Sequence, residues 1–109
     1  IQKVLPEPYV TSRIYFNRYK PGVDGCLHRD GVDLTALIYV SDYDKEFGGV
    51  TQFYENDLNQ IFVPPITNRL VIFDSEILHK GFGFSHQWNP HRITLAFKLK
   101  KHYNKENDI

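Results

Sequence analysis

Residues 91–99 read HRITLAFKL. Side chains alternate across a strand with a period of two. An extended reading therefore puts Arg92, Thr94 and Ala96 on one face, and Ile93, Leu95, Phe97 and Leu99 on the other. An apolar stripe behind an arginine and a threonine allows two architectures. In a half-exposed antiparallel sheet the polar face meets water. In a barrel the polar face lines an interior ligand site, and the apolar stripe packs outward against helices, another segment or another subunit. The rest of the chain has to decide between them.

The same division recurs upstream. Over Ser12–Tyr19, Arg13, Tyr15, Asn17 and Tyr19 share a face, and over Asp33–Val40 so do Thr35, Leu37 and Tyr39. Shorter β-rich runs cover 26–30, 50–54, 61–63 and 69–73, with another beginning at His79. Lys20-Pro21-Gly22, Gly48-Gly49 and Pro64-Pro65 punctuate them. Gly48-Gly49 reads as a hairpin bend rather than a close approach to substrate. Eight short strands at turn-punctuated spacing predict an all-β sandwich, barrel or jelly roll. Asp74–Lys80 is the strongest helical candidate, short and ended by Gly81.

The 109 residues suit one domain spanning 1–109, and an apolar fraction of 41% with abundant aromatics reads as folded. Zero formal net charge gives no nucleic-acid footprint. Lys98, Lys100, Lys101 and His102 read as a solvated strand end. A single cysteine, Cys26, excludes an internal disulfide and favours a reducing compartment such as the cytoplasm. No apolar run is long enough for a membrane helix. The chain starts at Ile1 and has no methionine, so further sequence is expected upstream. The polar tail 103–109 is expected to fray.

Residues 26–31 read CLHRDG. If extended, His28 and Asp30 point one way and Arg29 the other. Chance alone supplies roughly 0.4 such His-x-Asp pairs in a chain of this composition, so the pair on its own is more simply a surface hydrogen bond. His79 follows the buried-looking run RLVIFD. Two histidines and one carboxylate are the facial triad of non-haem Fe(II) oxygenases, which leaves positions open on the metal. Arg92 then stands at the start of the last strand with a hydroxyl two residues on. An inward arginine is costly unless an anion meets it, and its planar fork suits a carboxylate. The alternative is an arginine at the strand mouth reaching water. Cys26 is expected on the inward face as a packing residue. His91 should point away from Arg92, and Ser85–Pro90, with Trp88, should be a surface loop. His86 has no assigned role.

Together, HRD at 28–30, His79 and RIT at 92–94 resemble the Fe(II)- and 2-oxoglutarate-dependent dioxygenases. Tyr19 before a Pro-Gly turn, TALIY at 35–39, GGVTQFY at 48–54 and RLVIFD at 69–74 make the likeness prolyl-hydroxylase-like. It runs from Ser12 to Leu99. The resemblance implies a double-stranded β-helix, a jelly-roll or cupin-like barrel of eight core strands, with flanking helices missing from this chain. It implies that His28, Asp30 and His79 bind Fe(II), and that Arg92 pairs with the distal carboxylate of 2-oxoglutarate. Tyr39 and Thr94 would assist, and Tyr19 would lie nearby. With dioxygen, and ascorbate as an optional addition, an unactivated C–H bond becomes an alcohol while the cosubstrate leaves as succinate and CO2.

Inward residues without such a task are substrate candidates: Arg13, Tyr15, Asn17 and Thr51, with Phe53 lining the same cavity. They suit an amino acid such as proline, a peptide or another small polar molecule. No nucleic acid or membrane partner is expected, and an oligomer through the apolar face of the last strand is allowed. A cupin-like metal-binding or sensing module without turnover would need the three ligands but not Arg92 or Tyr39. A metal-free β-sandwich would put His28 and His79 on separate faces.

Overall fold

The computed structural model describes residues 8–56 and 58–101. The strand begun by Arg92 is the backbone of the fold. It runs Arg92–Lys101 (β7) and lies between Tyr9–Tyr19 (β1) and Leu34–Tyr39 (β2). Leu70–Asp74 (β5) completes this sheet in the order β1-β7-β2-β5, every pairing antiparallel. A second antiparallel sheet has the order β4-β3-β6, from Gln60–Val63, Thr51–Tyr54 and Leu78–Gly81. In chain order β1 and β2 lie in the first sheet, β3 and β4 in the second, and β5, β6 and β7 then alternate between them, and the fold is a double-stranded β-helix. Among the described residues helix is confined to one 3₁₀ turn, Lys45–Phe47, and no helix is long and apolar enough to cross a membrane.

The facing follows the alternation. Arg92, Thr94, Ala96 and Lys98 are buried, whereas Ile93, Leu95 and Phe97 are half-buried on the outside. Leu99 departs from its outward companions and is fully buried. The β1 and β2 registers stack inward residues in rows across the sheet. Tyr19 lies opposite Arg92, Asn17 and Tyr39 flank Thr94, Tyr15 and Leu37 flank Ala96, and Arg13 and Thr35 flank Lys98. The outer rows are apolar: Phe16, Leu95, Ile38 and Leu70, then Ile14, Phe97, Ala36 and Ile72. Phe16 and Ile14 at the β1 edge remain exposed.

Two expectations need correction. Residues 26–30 do not form an eighth strand. They hold the place of one, beyond β6, through a single His28–His79 bridge. Gly25 N–H donates to Gly81 O and Asp30 N–H to Ser75 O, at 2.8 and 3.0 Å. These pairings and the bridge do not share one register, so no regular ladder can form. Asp74–Lys80 is not helical. The Asp74 carboxylate accepts from Glu76 N–H at 2.9 Å and its carbonyl from Ile77 N–H at 3.1 Å, closing a tight turn that feeds β6. Outside the described residues lie His102 and the tail 103–109.

The apolar core is small: Leu37, Phe53, Phe73 and Ala96, with Tyr15, Val63, Val71 and Ile77 packed against it. The Phe53 and Phe73 rings meet edge to face with centroids 4.7 Å apart. Phe73→Ala should therefore cost about 3–5 kcal/mol of stability, read as a lower denaturant midpoint at unchanged slope. A midpoint within error of wild type would show that this cluster does not hold the barrel.

Candidate metal and cosubstrate site

The His28–His79 bridge is the start of the site. Each residue's N–H donates to the other's carbonyl at 3.0 Å, the mutually bonded pair of an antiparallel ladder. The two imidazoles therefore emerge side by side, with ring centroids 4.3 Å apart. Each ring is fixed from behind. Nδ1 of His28 is 2.7 Å from Cys26 O, and Nδ1 of His79 is 2.8 Å from Ile77 O. A carbonyl only accepts, so each Nδ1 carries a proton, which in the neutral tautomer leaves the Nε2 lone pair for a metal. Asp30 lies between them, with Oδ1 3.3 Å from His28 Nε2 and Oδ2 3.5 Å from His79 Nε2. One donor atom from each of the three residues falls within 4.8 Å of the others.

Asp30 is held as firmly. Oδ2 accepts from Thr35 Oγ1 at 2.6 Å and from Lys98 Nζ at 2.7 Å. Thr35 in turn shares a hydrogen bond with buried Ser75 at 3.0 Å. Burial alone would raise the Asp30 pKa. The hydrogen bonds from Lys98 and Thr35, with the charges of Lys98 and His79, outweigh it and hold the carboxyl below its ordinary value. Burial lowers the His79 pKa despite the Ile77 carbonyl and the Asp30 charge. The set is thus an anionic carboxylate and a neutral buried imidazole beside His28. This donor set fits a divalent metal that takes nitrogen and oxygen ligands.

Arg92 lines the same cavity as both histidines. It is 3% exposed. Nε donates to Gly49 O and Nη2 to Thr51 Oγ1, each at 2.7 Å. Its guanidinium carbon lies 5.4 Å from the Tyr19 ring centroid and 5.6 Å from that of Tyr39. Burial lowers its pKa. Burial also raises the pKa of Tyr39, whose hydroxyl is bonded to Thr51 Oγ1 at 2.7 Å. Two glycines make this packing possible. Gly49 adopts φ +84°, and a Cβ there would lie 2.6 Å from the Phe84 ring. A Cβ on Gly81 would come within 2.9 Å of Tyr19 and 3.2 Å of Arg92 Nη1.

The sequence-derived residues separate by place. His28, Asp30 and His79 converge. Arg92, Tyr39, Tyr19 and Thr94 gather at the other end of the cavity, although Tyr39 stands behind Arg92 rather than in the lining. Tyr15 and Asn17 line the cavity, and Arg13 is exposed beside the Tyr15 ring. Thr51 lines it too, but its hydroxyl is engaged by Arg92 and Tyr39. Phe53 sits in the core behind His79, not in this cavity. Cys26 is exposed, contrary to the packing role expected of it, because the segment is not a strand; only its carbonyl serves the site. Arg29 points away, donating to Glu76 O at 3.0 Å. Trp88 is pinned by Phe47 and Phe84.

Lys98 was misread as part of a solvated strand end. It is 4% exposed and touches the Asp30 carboxylate from inside the barrel, whereas Lys100 and Lys101 are exposed. The parity that turned Arg92 inward would have turned Lys98 inward as well.

No protein-family model matches the chain, and no curated protein matches it in sequence. Solved structures match its fold. A Pseudomonas putida prolyl-4-hydroxylase aligns with TM-score 0.69 and 22% identity over 83% of this chain and 51% of that one. An oxidoreductase of the 2OG-Fe(II) oxygenase family from Burkholderia pseudomallei aligns with TM-score 0.76 and 14% identity over 91% and 48%. A Trichoplax adhaerens prolyl hydroxylase in complex with a hypoxia-inducible-factor peptide aligns with TM-score 0.68 and 19% identity over 85% and 46%. The chain spans about half the length of these structures. At such identities the likeness is one of fold.

The burial of His79 has a measurable consequence for the metal-free protein. Its folded pKa lies below the ordinary 6.5, so the unfolded chain takes up the proton first. The stability this group contributes is present above about pH 6.5 and is lost as pH falls through the folded pKa. The melting temperature should fall between pH 7.5 and 5.5, and His79→Gln should flatten that fall. A wild-type profile as flat as the variant's would show that His79 is not held neutral.

Proposed function

We propose that the chain is the catalytic core of an Fe(II)- and 2-oxoglutarate-dependent hydroxylase acting on an unactivated C–H bond of a peptidyl or free amino acid. One observation carries this reading: three metal-donor residues converge, and the two histidines among them line a cavity with a buried arginine that has no carboxylate partner among the described residues. A cupin-like sensing module needs the donors but has no use for Arg92 held between two tyrosine rings. The fold neighbours, two of them prolyl hydroxylases, support the oxygenase class. The neighbour in complex with a peptide supports a peptide substrate.

His28, Asp30 and His79 would hold the iron, which when loaded supplies the dioxygen chemistry that converts 2-oxoglutarate to succinate and CO2. The chain's own residues do the rest by position. The Cys26 and Ile77 carbonyls keep both imidazoles in one tautomer and orientation. Lys98 and Thr35 occupy Asp30 Oδ2, leaving Oδ1 free to ligate. Arg92 spends two of its five donors on Gly49 and Thr51 and offers the others to the distal carboxylate of the keto acid. Thr94 and Tyr19 line that end of the cavity. Tyr15 and Asn17 remain for substrate.

Adding Fe(II) and 2-oxoglutarate without oxygen should produce the visible charge-transfer band of a chelated keto acid. Arg92→Ala should weaken 2-oxoglutarate binding by at least about 30-fold, since truncating one partner of a buried charge pair costs ~2 kcal/mol or more. Metal affinity should be spared. No band in folded wild-type protein would remove the oxygenase reading, and unchanged cosubstrate affinity would remove Arg92 from its role. Succinate release across a panel of amino acids and peptides would then identify the substrate.

A further inference from the structure

The inner face of β7 carries two buried cations, and only Arg92 has been given a ligand. Lys98 stands six residues on, about 20 Å along an extended strand, and lines the same cavity from the metal-donor end. Its Nζ lies 2.7 Å from Asp30 Oδ2 and 3.4 Å from Thr35 Oγ1. An ammonium has three donors, and these two contacts leave one. The Tyr15 ring is 5.8 Å from Lys98 Nζ, and the guanidinium of Arg13 lies 5.8 Å from the same ring. Arg13 is the register partner of Lys98 on β1 and is exposed. A second cation therefore stands on the solvent side of the first.

The charges of the loaded site show what is missing. A divalent cation, the Asp30 carboxylate, a dianionic keto acid and the Arg92 guanidinium sum to zero. Lys98 adds one positive charge, and its anionic neighbour Asp30 would then be shared with the metal. Among the described residues no other carboxylate lies within ion-pair distance of Lys98. A buried charge left in that state is costly unless an anion meets it. Among the described residues Asp30 is the only such anion, and Tyr15 and Asn17 line the cavity beside Lys98 where substrate would enter.

We infer that Lys98, backed by Arg13, is a subsite for a carboxylate carried by the substrate, so that the C–H bond oxidised lies near an acidic group. This rests on the hydroxylase reading above. The carboxylate has two possible sources with the same chemistry: the terminus of a free amino acid or short peptide, or the side chain of an internal acidic residue. Tyr15, between the two cations, would pack against the apolar part of whichever carries it.

The test is calorimetric binding without turnover, using full-length chain loaded with Mn(II) and saturated with 2-oxoglutarate so that Arg92 is occupied. The probes are acetyl-Gly-Gly with a free carboxylate, acetyl-Gly-Glu-Gly-amide, and neutral acetyl-Gly-Gln-Gly-amide. At least one acidic probe should bind about 10-fold or more tightly than the neutral one, and which one does so identifies the source. Lys98→Met should abolish the preference, Lys98→Arg should keep part of it, and Arg13→Gln should reduce it about threefold. Equal affinity for all three probes, or a preference that survives Lys98→Met, would overturn the inference. Weaker Mn(II) binding in Lys98→Met with the preference intact would reduce Lys98 to positioning Asp30 and would overturn it as well. Should Lys98→Met not fold, the wild-type preference and its reduction in Arg13→Gln decide, and absence of either counts against the subsite. Failure of wild-type protein to bind 2-oxoglutarate in a metal-dependent way would instead sink the hydroxylase reading, a separate readout from the probe series.

Discussion

Two backbone hydrogen bonds of 3.0 Å, exchanged between His28 and His79, set the geometry on which the site depends. Residues directly opposite in a mutually bonded antiparallel pair send their side chains to the same face of the sheet. The imidazoles are therefore brought together by strand pairing rather than by the ordering of a loop. Asp30 follows two residues after His28 and is drawn to the same side, with its N–H tied to Ser75 O. The cost is the regularity of the segment: three pairings in three registers allow one bridge where a strand would otherwise run.

The interior that receives them is not an ordinary core. Among the described residues nearly as many polar as apolar side chains are buried, and no buried side-chain nitrogen or oxygen lacks a hydrogen-bond partner. Apolar burial is concentrated in the cluster of Leu37, Phe53, Phe73 and Ala96, with His79 packed against both phenylalanine rings. The remaining volume is organised by chains of hydrogen bonds, Ser75–Thr35–Asp30–Lys98 at one end and Tyr39–Thr51–Arg92–Gly49 at the other. No fully buried nitrogen or oxygen in either chain lacks a partner, which restricts the arrangement of its members while Arg92 and Lys98 keep donors to spare. Losing one member would leave a buried group unpaired, at about 1–3 kcal/mol.

Most of this was legible because it follows from period-two alternation. Arg92, Thr94 and Ala96 inward, with Ile93, Leu95 and Phe97 outward, could be read from one strand, and the seven strands lie where apolar runs and turn signals placed them. The parts that were not legible depend on contacts between distant segments. Nothing local in CLHRDG says that its pairings with β6 and the turn before it will fall out of register. The turn at Asp74 competes with a plausible helix through a side-chain hydrogen bond that composition does not reveal. Gly48-Gly49 looked like a hairpin bend, but it lies between strands of different sheets, with Gly48 bridged to Phe84, and the Gly49 carbonyl anchors Arg92 from 43 residues away. Lys98 was legible and was missed, because its neighbours Lys100 and Lys101 drew it into a charge cluster when its parity should have separated it from them.

Parity also explains how β7 divides the cavity. Along its inner face the order is Arg92, Thr94, Ala96, Lys98, so a small side chain separates the two cations. Ala96 is completely buried between Tyr15 and Leu37. A larger residue there would press on Tyr15, Leu37 and the phenylalanine cluster, and a closely packed interior tolerates added volume poorly. The strand thus fixes the spacing of the two positive groups. A ligand anchored by Arg92 and a second one held near Lys98 would meet beside the His28 and His79 donors because β7 keeps its two cations on one face.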